Sequence, residues 1–238
     1  MKVNNNRRVA LAGALAICAL YVLPTGAQNP ATPQTTPAPP GRAGGAPPPP
    51  APTPAPNGLK LELVEGTKAS YRVREQLAGI NFPSDASGTT TAVSGAIAVG
   101  PDGNIISGQS KFTVDLRTFK SDQDLRDGYI RTRVFETDKF PLAEFVPRRA
   151  QGLTYPFPSG AGAQTGFQLI GDMTIRGVTK EITWSIIATF SGDNVAGRAN
   201  TTFDFATFAL PKPQLARLLS VDDKINLEVE LRAKRTAL

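Results

Sequence analysis

Alternation of apolar and polar side chains is the feature that most constrains how this chain can fold. Apolar residues or glycine occupy every second position from Phe167 to Ile175, from Ile182 to Phe190 and from Ile225 to Leu231. Successive side chains of a β-strand point to opposite faces, so this period predicts strands with one dry and one wet face. Turn-forming stretches at 101–104 and 191–194 separate such strands. We therefore predict an all-β domain over residues 59–238, either a barrel or a sandwich.

One segment departs from this period. Ser121 is placed to cap a helix over residues 122–134, in which the acidic residues come first and the arginines come last. The helix dipole favours that order of charges. A single short helix beside about eight strands does not fit a βαβ architecture.

Residues 1–27 follow the three-part pattern of an export signal. Arg7 and Arg8 precede an apolar run over residues 9–23, and small residues follow up to Ala27. We predict cleavage after Ala27, with an uncleaved N-terminal anchor as the alternative. Cys18 lies inside the apolar run, which argues against a lipoprotein. The predicted location is periplasmic or secreted, in association with the cell envelope.

Residues 28–58 form a Pro- and Ala-rich tract that includes four consecutive prolines at 47–50. Proline fixes φ and lacks an amide donor, so we predict a disordered, extended linker there. Its expected role is to hold the domain at a distance from a membrane or envelope surface. A recognition segment for a Pro-binding domain is the alternative.

The composition of the chain excludes several kinds of catalytic and metal site and argues against nucleic-acid binding. The chain has no histidine, and its one cysteine, Cys18, lies in the predicted leader. Ser-His-Asp and Cys-His catalysis and His- or Cys-ligated metal sites are therefore excluded from the domain, and we predict neither a metal nor a redox cofactor. Residues 1–58 carry four of the 26 basic residues and no acidic residue. The rest of the chain is nearly neutral, so we do not expect a nucleic-acid partner.

The dry faces of the predicted strands mix large and small residues. An eight-stranded barrel of this kind is either filled by its own side chains or holds one small ligand. The small residues expected to leave room are Gly95, Gly108, Gly171, Ala188 and Ala199. The residues predicted to line an apolar pore are Phe112, Val114, Leu116, Leu169, Met173, Ile175, Trp184, Ile186, Phe203, Phe205, Leu227 and Val229.

Three stretches carry a family resemblance. They are LRDGYIRT at 125–132, which continues to Phe145, GDMTIRGVTK at 171–180, and SVDDKINLEV at 220–229. In order and spacing the chain resembles the YceI-like family of exported polyisoprenoid-binding proteins from about residue 59 to residue 235. The first two stretches together are more specific than either alone.

The resemblance implies an eight-stranded antiparallel, lipocalin-like barrel whose long pore accepts an isoprenoid (polyprenyl or quinone-like) or fatty-acyl chain, and it is compatible with a homodimer. Arg126, Tyr129 and Arg131 are the candidates for contact with a polar head group. Alternatively, Arg126 and Asp127 fix the helix over the barrel rim. Family members commonly carry histidine at the position of Tyr129, and often at that of Arg176, so this chain departs from the family pattern at both positions.

The predicted function is lipid binding without catalysis. One alternative is a tethered interaction module whose core is packed and holds no ligand. The other is a carboxylate-based, lipid-modifying enzyme that uses Asp115, Asp127 or Asp172 with Tyr129. No pair of these carboxylates stands out, and Asp172 falls on the outward parity of its strand.

Overall fold

A computed structural model of the protein describes residues 57–158, 160 and 162–238. The predicted signal peptide (1–27) and nearly all of the predicted linker (28–58) lie outside the described residues. The strands are β1 (Leu59–Leu63), β2 (Lys68–Leu77), β3 (Ser84–Thr90), β4 (Val93–Val99), β5 (Lys111–Asp115), β6 (Lys120–Ser121), β7 (Leu142–Gln151), β8 (Ala163–Ile175), β9 (Val178–Ser191), β10 (Asn194–Asp204) and β11 (Leu218–Ala237). One α-helix, α1 (Asp124–Tyr129), lies between β6 and β7.

The strands close into an eight-stranded antiparallel barrel, which confirms the predicted fold class. Three barrel positions are each built from two consecutive strands: β1 with β2, β3 with β4, and β5 with β6. The long strand β11 closes the ring, because its last residues pair with β1 and its first half pairs with β2, while β10 lies on its other side. Residues 176–177 form a two-residue turn between β8 and β9, with φ of 51° at Arg176 and 74° at Gly177.

The helical segment is shorter and less regular than predicted. The α-helix begins at Asp124, and residues 130–134 form a wider π-helical turn in which the amide of Phe135 bonds to the carbonyl of Ile130. Ser121 belongs to β6, and its hydroxyl accepts a bond from the Gln123 amide instead of capping the helix. The buried Asp127 carboxylate accepts a hydrogen bond from the Ser121 amide at 2.9 Å, which ties α1 to the barrel.

Within the described residues, no helix is long and apolar enough to cross a bilayer.

The barrel has two different ends. The end away from α1, which we call the packed end, is filled by aromatic side chains. Phe157 stacks on Phe190 at 5.1 Å between ring centroids, and Tyr155 contacts Phe157 edge-on at 5.8 Å. Phe190 and Val99 are fully buried there. The interior of the barrel is therefore closed by side chains at this end.

Two of the three glycines predicted to leave room, Gly95 and Gly171, serve instead as points where two strands approach closely, whereas a Cβ at Gly108 would meet no atom within 4 Å. A Cβ at Gly171 would lie 2.2 Å from the Val146 carbonyl oxygen, and one at Gly95 would lie 2.3 Å from the Lys111 carbonyl oxygen. Neither these two glycines nor Gly108 and Ala188 line the internal cavity, whereas Ala199 does. The prediction that glycine creates the internal space is therefore wrong.

Candidate ligand-binding cavity

A cavity of about 220 Å³ occupies the barrel between the packed end and α1. All twelve residues predicted to line an apolar pore lie in its wall: Phe112, Val114, Leu116, Leu169, Met173, Ile175, Trp184, Ile186, Phe203, Phe205, Leu227 and Val229. The alternation of apolar residues along the strands thus places one face of each strand toward a shared internal space. The interior is not completely filled by the protein's own side chains.

The cavity wall is long in one direction. Along β11 the lining residues run from Leu231, deep in the barrel, through Leu227 to Val221 near α1. The register of β11 against β2 shifts by two residues between Val221 and Ile225, so this stretch is as long as about eight residues of regular strand. It spans about 26 Å, or about 20 Å along the axis of a barrel whose strands tilt by about 40°. Such a shape suits an elongated apolar chain better than a compact ligand.

Four charged residues contribute to the wall, and two of them lie at its α1 end. Glu144 and Glu228 contribute to the lining, but their carboxylates form ion pairs with the exposed side chains of Lys111 and Arg198. The remaining charged residues of the lining are Glu75, at the end of β2, and Arg126, on α1. The cavity is therefore apolar along its length and polar at its α1 end, which we call the mouth.

At the mouth, Arg126 is held by two carboxylates. Its Nη2 donates to Glu75 Oε1 at 3.0 Å, and its Nη1 donates to Asp122. Glu75 is buried and Arg126 is largely buried. Tyr129 also lines the mouth, and its hydroxyl accepts a long bond of 3.5 Å from the Gln214 amide. Arg126 thus presents no unbalanced positive charge to the cavity.

Arg131, the third predicted head-group residue, does not line the cavity. It lies five residues after Arg126, in the π-helical turn. Within the described residues Arg131 forms no ion pair. Its role as a head-group contact stays a prediction.

Tyr71 is a polar residue of the wall that the sequence-based analysis missed. Its ring packs 5.5 Å from that of Phe119, and burial raises the pKa of its phenol to about 12. Glu75 was missed as well. The signal for both was present in β2, where Ala69, Tyr71, Val73 and Glu75 share one parity and are all buried. The carboxylate of Glu75, on the dry face of β2, was therefore the sequence signal that indicated the position of the mouth.

Aromatic residues of the helical region divide between the cavity and its surroundings. Phe135 and Phe145 line the cavity, whereas Phe140 packs against the turn at Gly177. Trp184, the one tryptophan of the chain, lies in the wall 6.2 Å from Phe145 between ring centroids. Its buried Nε1 has no acceptor among the residues that the structure describes.

A second arginine, Arg176, links segments around the mouth through hydrogen bonds. Nη1 of Arg176 donates to the Ala209 carbonyl at 2.9 Å, and Nη2 donates to the Glu136 carboxylate. This hydrogen bond, together with one from Lys139, holds the pKa of Glu136 below its usual value. All three of Glu136, Arg176 and Ala209 have φ near 50°, so the arginine joins three tightly turned segments.

The carboxylates considered for catalysis do not converge. Asp115 is bound by Arg117, and Asp172 by Arg148 on the outer face; in each case the hydrogen bond from the arginine lowers the pKa of the carboxyl. Asp127 is buried against Ser121, as described above. None of these three carboxylates lies in the cavity wall. In the part of the chain that the structure describes, no cluster of three Cys, Asp or Glu side chains is arranged to hold a metal ion.

Comparison with known families agrees with this architecture. The family model of the YceI-like domain matches residues 65–233. The chain belongs to the YceI-like family. In this YceI-like protein, the stretch at 125–132 forms α1 and the first residues of the π-helical turn at the mouth. The stretch at 171–180 forms the turn that carries Arg176, and the stretch at 220–229 forms a wall of the cavity.

Solved structures share the fold at low sequence identity. A polyisoprenoid-binding domain from Saccharophagus degradans, implicated in plant cell wall breakdown, is 14% identical with a TM-score of 0.59, over 76% of this chain and 99% of that one. BcnA from Burkholderia cenocepacia is 18% identical with a TM-score of 0.53, over 71% and 96%. The YceI protein of Campylobacter jejuni is 16% identical with a TM-score of 0.51, over 67% and 90%. No protein of curated function matches the chain in sequence.

Proposed function

We propose that this YceI-like protein binds one long-chain lipid, an isoprenoid (polyprenyl or quinone-like) or fatty-acyl chain, in its barrel cavity and does not act on it chemically. The observation that carries the proposal is an elongated cavity with an apolar wall and its polar groups gathered at the mouth. The fold that the chain shares with a polyisoprenoid-binding domain supports the same ligand class. An unfilled cavity also favours a carrier over an interaction module with a packed core.

Burial of the chain supplies the binding free energy. Each methylene removed from water contributes about 0.8 kcal/mol. Ordering of the flexible chain and of the protein offsets part of this gain. Affinity should therefore rise with chain length and depend little on any single polar contact.

The pairing of Arg126 with two carboxylates at the mouth favours a neutral over an anionic head group. Arg126 is already paired with Glu75 and Asp122, so a carboxylate or phosphate would have to compete with two resident carboxylates. A neutral hydroxyl or carbonyl meets no such competition, and it can exchange hydrogen bonds with the Tyr129 hydroxyl. We therefore favour a prenol or a quinone over an anionic lipid.

The export pattern at residues 1–27 and the proline-rich tract at 28–58 complete the proposal. They support a protein that is exported and held at a distance from an envelope surface. A carrier of water-insoluble lipid is useful in such an aqueous compartment, where the lipid alone has little solubility.

Solvent extraction of the purified protein, followed by mass spectrometry of the extract, tests the function. We expect stoichiometric recovery of one class of long-chain lipid from the wild-type protein. The Ala199→Phe variant, which narrows the cavity, should yield much less, whereas Ile187→Phe on the exposed outer wall should yield as much as wild type. Extracts without lipid, together with failure to bind added farnesol, would contradict the proposal.

A further inference from the structure

We propose that the cavity holds the head group of its ligand by a hydroxyl, which accepts a hydrogen bond from Tyr71 and donates one to Glu75. The cavity then prefers lipids that end in an alcohol or a phenol to lipids whose head group can only accept hydrogen bonds. Such a subsite presupposes the proposed function, because it lies inside the same cavity. It narrows the neutral head groups to those that carry a hydroxyl.

The hydroxyl of Tyr71 is a hydrogen-bonding group without a partner in the cavity wall. Tyr71 lines the cavity, and 8% of the residue is exposed. Within the described residues its Oη forms no hydrogen bond. The unpaired polar atoms of Tyr155 and Trp184 are sealed inside the protein, whereas Oη of Tyr71 is still accessible to a molecule in the cavity. A ligand therefore finds a free donor there.

The contacts of the Tyr71 ring fix where its hydroxyl lies. Tyr71 on β2 pairs with Gly88 on β3, and a Cβ at Gly88 would lie 2.5 Å from Cε1 and 2.8 Å from Oη of the tyrosine. The glycine thus leaves the space that the phenol occupies on the inner face of β3. Phe119 packs against the same ring at 5.5 Å between centroids. The hydroxyl is held in a defined position before any ligand binds.

Glu75 supplies a free acceptor in the same wall. Its Oε1 accepts a hydrogen bond from Nη2 of Arg126 at 3.0 Å, whereas its Oε2 forms none within the part of the chain that the structure describes. Glu75 lines the cavity and is buried to the same extent as Tyr71. Oε2 is therefore a charged acceptor whose partner has to come from inside the cavity.

Tyr71 and Glu75 belong to one polar pocket. They lie four residues apart on the inner face of β2. Burial raises the pKa of the Tyr71 phenol to about 12; among the nearby charges Arg126, which lowers this pKa, acts most strongly, and Glu75 raises it. The phenol therefore lies within electrostatic reach of the Arg126–Glu75 pair. It also keeps its proton near neutral pH and is able to donate.

A hydroxyl is the head group that matches both oxygens. A ligand that fills the pocket displaces water from Oη of Tyr71 and from Oε2 of Glu75. A hydroxyl accepts from the first and donates to the second. A quinone, ketone or ether only accepts, so it leaves the buried carboxylate oxygen without a partner. A site built to bind a hydroxyl discriminates against the analogue that lacks one, because unpaired buried polar groups are costly.

Comparison of 2-tridecanol with 2-tridecanone tests the subsite. The two compounds share one carbon chain, and only the alcohol donates a hydrogen bond. By calorimetric titration of the full chain, we expect the wild type to bind the alcohol at least about tenfold more tightly than the ketone. In Glu75→Gln the side-chain amide offers a donor to the ketone, so the preference should fall to about twofold or less. Glu181→Gln removes the same charge from the outer wall and should keep the full preference.

Variants of the phenol separate its position from its presence. Tyr71→Phe removes the hydroxyl and should weaken binding of 2-tridecanol by about fivefold, the value of one neutral hydrogen bond. Gly88→Ala keeps the hydroxyl but displaces the ring, and should weaken binding by a similar factor. Tyr155→Phe, which removes a buried hydroxyl at the packed end outside the cavity wall, should bind like wild type.

The outcomes separate the hydroxyl subsite from the proposed function. Equal affinity of the wild type for alcohol and ketone would overturn the subsite and leave the lipid-carrier function in place. A preference that survives Glu75→Gln, or unchanged alcohol binding in both Tyr71→Phe and Gly88→Ala, would overturn it as well. A wild type that binds neither compound would contradict the carrier function itself. Because the first comparison uses the wild type alone, it is decisive even where a variant does not fold.

Discussion

Nη2 of Arg126 donates a hydrogen bond to Oε1 of Glu75 over 3.0 Å and so joins helix α1 to the end of β2 at the mouth of the cavity. Both side chains are mostly withdrawn from water, with 17% and 9% of their surface exposed. A buried charge without its partner is costly, so the pair fixes how α1 lies over the barrel. It also determines which charge a ligand meets at the mouth.

Removal of the arginine should destabilise the fold. In Arg126→Met, Glu75 is left buried without its cation, and we expect the free energy of unfolding to fall by about 3 kcal/mol, the low end for a broken buried pair. Urea unfolding followed by Trp184 fluorescence measures this. Arg131→Met removes an equal charge outside the cavity and should change stability by less than about 0.5 kcal/mol. Equal losses in the two variants would contradict the role of the pair.

Removal of the Glu75 charge should change head-group selectivity. In Glu75→Gln, Arg126 keeps the exposed Asp122 but loses its buried carboxylate. An anionic head group then competes with one resident carboxylate instead of two. We expect dodecanoic acid to bind about tenfold more tightly than to wild type, the value of one charged hydrogen bond. Dodecanol should bind unchanged, because its head group carries no charge. A gain shared by both ligands, or by neither, would contradict the assignment of Arg126 to the head-group site.

Filling the cavity should weaken binding and preserve the fold. Ala199 lies in the cavity wall on β10, and phenylalanine there occupies space that the ligand needs. Titration with farnesol, monitored by Trp184 fluorescence, should show a loss of affinity of at least about tenfold, which corresponds to about two methylenes denied burial. Ile187→Phe, on the outer wall, is the control and should titrate like wild type. Normal farnesol binding by Ala199→Phe would place the ligand elsewhere.

The buried phenol of Tyr71 should make stability sensitive to alkali. Burial raises its pKa from the ordinary 10.0 to about 12 in the folded protein. The unfolded chain ionises first, so the contribution to stability is complete below pH 10 and is lost as the pH rises toward 12. Ultraviolet difference absorbance should show a late-titrating phenol that is missing in Tyr71→Phe. Titration of all phenols near pH 10 would contradict the burial of Tyr71.

Local patterning was sufficient to predict the strands and their inner faces. Alternation along β8, β9 and β11 indicated which side chains point inward, and residues such as Leu169, Trp184 and Leu227 lie in the cavity wall. This succeeds because the period of a strand is a local property of the chain. Alternation alone did not distinguish a closed barrel from a sandwich. The resemblance to the YceI-like family indicated the barrel.

Features that depend on contacts between distant segments could not be predicted in the same way. Glu75 and Arg126 are 51 residues apart, and no local signal pairs them. Gly171 looked like spare volume, but the approach of β7 makes it a close contact. The π-helical turn after α1 depends on hydrogen bonds that the sequence does not reveal. Each of these misses arose where tertiary packing determines the local geometry.

The most direct test of the account is the dependence of affinity on chain length for neutral prenols. Geraniol, farnesol and geranylgeraniol differ by one isoprene unit at each step, and all end in the same hydroxyl. Because each buried carbon contributes up to about 0.8 kcal/mol, the dissociation constant, measured by titration of Trp184 fluorescence, should fall by about tenfold or more at each step after ordering costs. A series in which all three alcohols bind equally would contradict the claim that the cavity holds the length of a lipid chain.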